Sequence, residues 1–178
     1  AGIGPDTLLV ALQAGASTAS RRWAPQRFAA LAQQLLAAHP DLRIILTGSP
    51  AERALARQIA DAVGDDRVWV GAGTVPLRLM PALLARCAVL VSGDTGPMHM
   101  AVAVGTPVVA LFVVSDARRS GPAYDLDKHI VIQKWRTCDP CLSKRCPYLQ
   151  PVCMDNIGVD EVYEAVMRKL SLSEKART

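Results

Sequence analysis

The feature that most constrains this chain is an alternation. A short apolar run, a brief connection and a segment with helical apolar spacing follow one another again and again. The apolar runs are "TLLVAL" (7–12), "LRIILTG" (42–48), "RVWVGAG" (67–73), "AVLVSG" (88–93) and "PVVALF" (107–112), and "HIVIQK" (129–134) reads as a sixth. Between them, "PQRFAALAQQLLAAH" (25–39) repeats apolar residues at Phe28, Leu31, Leu35 and Leu36 behind Pro25, which is helix spacing with a helix start. "PAERALARQIADAVG" (50–64) stops at Gly64, "VPLRLMPALLARC" (75–87) carries Pro81 as an expected break, and "GPMHMAVAVG" (96–105) is built of small residues. A terminal amphipathic helix is expected over 157–171. Strand–helix alternation with short connections predicts parallel strands joined by right-handed crossovers. The near-continuous apolar runs agree, since parallel strands are covered on both faces. The expected fold class is therefore α/β, a Rossmann-like doubly wound parallel sheet of five or six strands.

At 178 residues the chain suits one domain, residues 1–178, with 1–6 as a linker and 137–156 as a cysteine-containing excursion. Composition narrows the function classes. The chain is 51% hydrophobic and 4% aromatic, and its net charge of +4 is spread too diffusely to argue for nucleic acid. Such an excess suits an anionic small ligand or an anionic surface. The apolar runs are too short to span a bilayer, and no window has the layout of a signal peptide. Neither G-x-G-x-x-G after the first run nor G-x-x-x-x-G-K-[ST] occurs, which disfavours dinucleotide redox enzymes and P-loop NTPases.

In open parallel sheets, ligands sit outside the carboxyl ends of the strands. Three loops there carry suitable chemistry. In "AGASTASRRW" (14–23), Gly15 allows close backbone approach, Ser17 and Thr18 offer hydroxyls, and Arg21 or Arg22 can meet a phosphate, although solvated surface arginines would read the same way. In "GDTGPMH" (93–99), Asp94 or Thr95 can cap the following helix, Gly96 imposes no Cβ, and first-turn amides point outward where the macrodipole favours an anion. His99 there reads on spacing as a packed or capping histidine ahead of a ligand contact. In "TGSPAE" (47–52), Glu52 can accept from ribose hydroxyls or simply sit as an acid at a helix start.

The stretch "VSGDTGPMHMAVAVGTPVVALF" (91–112) resembles the signature of the heptosyltransferase family, the family-nine glycosyltransferases of lipopolysaccharide core biosynthesis, through Asp94, Thr95, Gly96, Pro97, His99, Gly105, Thr106 and Pro107. "GASTASRRWAPQRFAAL" (15–31) is similar to the family's first loop and helix, with Arg21 where a lysine usually stands and Ala24 inserted before Pro25. The likeness runs over about residues 7 to 170. It implies the carboxy-terminal, donor-binding half of a GT-B glycosyltransferase, with the acceptor domain and the general base outside these residues, so that this piece alone is inactive. It implies a nucleotide-sugar donor, ADP-heptose in the family, and inverting transfer to a lipid A–core acceptor without a required cofactor or metal. Ser17, Thr18 and Arg21 would then face the diphosphate, and Asp94, Thr95, Gly96 and His99 the diphosphate and sugar. Glu52 and residues 74–77 would lie near ribose and adenine. The location implied is cytoplasmic, with peripheral contact at the inner membrane.

Five cysteines divide into Cys87, an expected buried hydrophobe, and the cluster Cys138, Cys141, Cys146 and Cys153. That C-x2-C-x4-C-x6-C spacing is compatible with structural zinc, two disulfides or free thiols, and a catalytic role is the least favoured. Two other functions stay open: a nucleotide- or sugar-binding module without turnover, and a different GT-B enzyme using a UDP-sugar.

Overall fold

The computed structural model describes residue 4, residues 7–135 and residues 152–175. Six strands run β1 (Leu8–Gln13), β2 (Leu42–Thr47), β3 (Val68–Val70), β4 (Val89–Gly93), β5 (Val108–Phe112) and β6 (Ile130–Gln133). They form one sheet in the order β3-β2-β1-β4-β5-β6, every pair parallel. The helices are α1 (Pro25–Ala38), α2 (Arg53–Val63), α3 (Met80–Ala85), α4 (Gly96–Ala103), α5 (Ala117–Ser120), α6 (Val152–Asp155) and α7 (Val159–Lys175). The expected doubly wound α/β sheet is what forms.

Period-two alternation explains why the strands look apolar throughout. Val10, Leu12, Ile44, Leu46, Val91 and Leu111 face a core closed by α1, α2 and α7. Leu9, Ala11, Ile45, Leu90, Val108 and Ala110 face a second core closed by α3 and α4. Phe28, Leu31 and Leu35 of α1 are essentially inaccessible, and burying each such side chain contributes about 1.5–3 kcal/mol. Gly64 ends α2 in the left-handed conformation at φ 68°, a position that favours glycine. The break expected at Pro81 falls elsewhere. Leu77–Leu79 form a 3-10 turn, and α3 begins at Met80 with Pro81 in its first turn, where the missing N–H costs nothing.

α7 starts two residues later than expected and runs to Lys175. Its approach is pinned from far away in sequence. Trp23 is buried, donates from Nε1 to the Ile157 carbonyl at 3.0 Å, and meets Phe28 edge-on at 5.0 Å. Of the clustered cysteines, Cys138, Cys141 and Cys146 lie outside the described residues, while Cys153 is buried. Cys87 is also buried, and burial pushes its thiol up to about 12, so it behaves as an inert hydrophobe.

Candidate functional site

In this strand order the connections diverge on either side of β1 and β4, so the crevice beyond their carboxyl ends is the topological switch point. A cavity of about 510 Å3 opens there, a size usual for small-molecule sites. Ser17, Ser49, Glu52, Asp94 and Thr95 supply its polar wall, and Val75, Leu77 and Met80 its apolar one.

The loop after β1 is shaped from beneath. Gln13 and Thr47, both buried, end two neighbouring strands. Thr47 Oγ1 donates to Gln13 Oε1 at 2.8 Å, and Gln13 Nε2 donates to the Gly15 carbonyl at 3.2 Å. Arg22 turns back and donates from Nε to the Ala16 carbonyl at 2.9 Å, which makes it part of the loop's frame. Gly15 leaves the room that the Glu52 side chain occupies. A Cβ there would lie 1.8 Å from Glu52 Oε1. Ser17 is exposed at the cavity wall. Thr18 lies off that wall, with its Oγ1 buried and without a hydrogen-bond partner among the described residues.

Glu52 takes the role of an acid at a helix start, and it also lines the cavity. Its Oε2 accepts from the Ser49 N–H at 2.7 Å, closing the turn that leads into α2. Its Oε1 rests against Gly15 at the cavity edge.

The loop after β4 departs from the expected capping. No side chain caps α4. Thr95 Oγ1 instead lies 2.8 Å from Ser92 Oγ. Asp94, whose side chain is 12% exposed, holds Arg21 Nη1 at 3.2 Å on Oδ2. Thr95, Gly96 and Pro97 all line the cavity, so the start of α4 opens into it. Pro97 has no N–H and the Met98 N–H donates to the Thr95 carbonyl at 3.1 Å, so the first-turn donor left over is the Gly96 N–H. A Cβ on Gly96 would meet nothing within 4 Å, whereas one on Gly93 would come within 3.1 Å of the Arg21 carbonyl. His99 is half exposed, with Nε2 4.0 Å from Asp94 Oδ1, and stands behind the carboxylate rather than on the cavity wall.

Two residues here carry no expectation from sequence. Gln13 is hidden because a glutamine closing an apolar strand looks like the start of a loop. Ser120 lies in the 113–130 interval, which reads only as a polar interruption, yet its Oγ donates to Asp94 Oδ2 at 3.3 Å.

With that geometry in place, the comparisons are decisive. The model of glycosyltransferase family 9 (heptosyltransferase) matches residues 5–151. The chain belongs to this family. Lipooligosaccharide heptosyltransferase 2 of Campylobacter jejuni is 26% identical over 166 residues, covering 92% of this chain and 51% of the relative. Among solved structures, E. coli ADP-heptose lps heptosyltransferase II superposes with a TM-score of 0.82 at 24% identity, over 97% of this chain and 49% of the other. The E. coli heptosyltransferase WaaC with ADP does so with 0.71 at 18% identity, over 94% and 46%. At those identities the structural likeness establishes the fold alone, the Rossmann-like α/β sheet of GT-B heptosyltransferases. The family-9 chain spans about half the length of the curated relatives it matches. Among the described residues, no helix is long and apolar enough to cross a membrane.

Proposed function

We propose that this domain binds the nucleoside-diphosphate sugar donor, ADP-heptose, for inverting transfer to the lipopolysaccharide inner core. In the complete protein, a second domain would hold the lipid A–core acceptor and supply the general base. The observation that carries this reading is the uncapped start of α4, opening into the cavity at the switch point beside Arg21 and Asp94. A diphosphate seated there would meet the Gly96 N–H, the positive end of the macrodipole and a guanidinium. The apolar wall of Val75, Leu77 and Met80 suits the flat face of a base, and Glu52 a ribose hydroxyl. The Campylobacter relative's name and the ADP in the WaaC structure support the choice of adenine nucleotide and heptose.

In the proposed reaction an acceptor hydroxyl attacks the anomeric carbon while the bond to the diphosphate oxygen breaks. Its proton passes to the base of the other domain. The charge growing on the departing ADP is met by the positive end of the α4 dipole, the Gly96 N–H and Arg21, which is where electrostatic catalysis has most effect. The reaction would run at the cytoplasmic face of the inner membrane, with peripheral contact to the leaflet.

Titration calorimetry tests the reading. ADP is expected to bind more tightly than UDP, and Arg21→Ala to weaken ADP about 10–100-fold, the range for a charge-assisted contact. A folded protein with no ADP affinity at millimolar nucleotide sinks the proposal.

A further inference from the structure

Asp94 meets two partners on one oxygen, an ion pair from Arg21 and a hydrogen bond from Ser120. Arg21 reaches Oδ2 at 3.2 Å from a long side chain that is 34% exposed, on a 3-10 turn of the first loop. Ser120 reaches the same oxygen at 3.3 Å from a side chain only one rotatable bond long. Its other acceptor, the Asp116 carbonyl, is farther at 3.5 Å. His99 Nε2, at 4.0 Å from Oδ1, stands beyond hydrogen-bond distance.

The turn that presents Ser120 is held at each end. Asp116 Oδ1 accepts from the Arg118 N–H at 3.0 Å, capping α5. The Ala117 N–H donates to Gln133 Oε1 at 3.0 Å, which ties α5 to β6. The Gly121 N–H closes the turn on the Ala117 carbonyl at 2.8 Å, and a Cβ at Gly121 would come within 2.3 Å of that oxygen. Ser120 is therefore as fixed as the sheet edge beneath it.

We infer that Ser120 is a positioning residue for the sugar end of the donor site, keeping the Asp94 carboxylate aligned once Arg21 is drawn away to the diphosphate. This rests on the donor-site reading above. In the empty site the guanidinium and the carboxylate neutralise each other. A diphosphate at the start of α4 carries more charge than Asp94 and sits at the positive end of the helix dipole beside the Gly96 N–H, so it competes for Arg21. When Arg21 leaves, Asp94 keeps one donor within hydrogen-bond distance among the described residues, the Ser120 hydroxyl. Without it, the carboxylate turns freely and meets sugar hydroxyls in many orientations. ADP has no transferred sugar and never uses that alignment. The inference is thus specific: Ser120 affects the sugar and leaves the nucleotide alone.

The test compares ADP with ADP-heptose by calorimetry on the full-length protein. Ser120→Ala is expected to weaken ADP-heptose about 3–10-fold, the scale of one hydrogen bond, and to leave ADP unchanged. Ser120→Thr keeps a hydroxyl and is expected to restore most of the difference. Equal weakening of both ligands would mean that α5 merely props the loop, and no change in either would mean that Asp94 needs no such support. Both results overturn the inference while leaving the donor site standing. Failure of the unmodified protein to bind either ligand removes the donor-site reading and this one with it.

Discussion

Gly15 shows how one missing carbon shapes the cavity. Its α-carbon lies where Glu52 must pass, and an added Cβ would meet Oε1 at 1.8 Å and the carboxyl carbon at 2.1 Å. Those atoms are the end of a flexible side chain, so Gly15→Ala would be accommodated by swinging Glu52 aside. The expected result is a modest loss of stability, about 1 kcal/mol from the lost contact to Ser49. Nucleotide affinity should fall by a larger factor, since the carboxylate has left the cavity edge. Thermal melts read beside ADP titrations check this, and unchanged affinity would argue that Glu52 does not face the ribose. At this scale the sequence was partly legible. Ser17, Glu52, Asp94, Thr95 and Gly96 share one cavity, while Thr18, Arg21 and His99 lie off its wall, Arg21 being paired with Asp94. Residue type announces that a serine or threonine can donate, but only the course of the backbone decides where the hydroxyl points.

At the scale of elements, loops after different strands support one another. Gly73 follows β3 with φ 72°, its N–H donates to the Gly48 carbonyl at 3.0 Å, and a Cβ would stand 2.9 Å from the Pro50 Cα. Here the obstacle is backbone, which cannot rotate away. Gly73→Ala should therefore destabilise by more than the ~1 kcal/mol usual for alanine at positive φ, and chemical denaturation measures it. Apolar periodicity predicted the helices and strands well because it reports burial directly. It could not foresee α5. Four residues capped by Asp116 contain no apolar repeat; their place is fixed by the Ala117 N–H donating to Gln133 of β6 and by Ala117 packing on the second core. Capping of α4 was misread for a related reason. Asp94 and Thr95 are apt caps in isolation, but Arg21, Ser120 and Ser92 claim their side chains.

For the whole molecule, the two-faced core was readable because the inner strands β1, β2, β4 and β5 had to be apolar on both sides, and that requirement leaves a plain trace in composition. What the trace omits is the polar chemistry inside. His129 is buried, and the Val108 N–H donates to its Nδ1 at 3.2 Å where β5 begins. Burial foremost, with Lys169 nearby, holds its pKa below the ordinary imidazole value. The folded state thus keeps His129 neutral, while the unfolded chain takes up a proton near pH 6.5. Its contribution is complete above that pH and is lost as pH falls through the lower folded value. Melting temperature should drop from pH 7.5 to pH 5, and His129→Asn, which retains an acceptor for Val108, should flatten that drop.

The bond from Trp23 to the Ile157 carbonyl joins positions 134 residues apart. The rim of the proposed phosphate seat therefore leans on the segment leading into α7, on the far side of the fold in chain order. Shortening the protein ahead of Val159 would strip that brace from the first loop. A defect arising at the tail would then surface as slack in the nucleotide's grip.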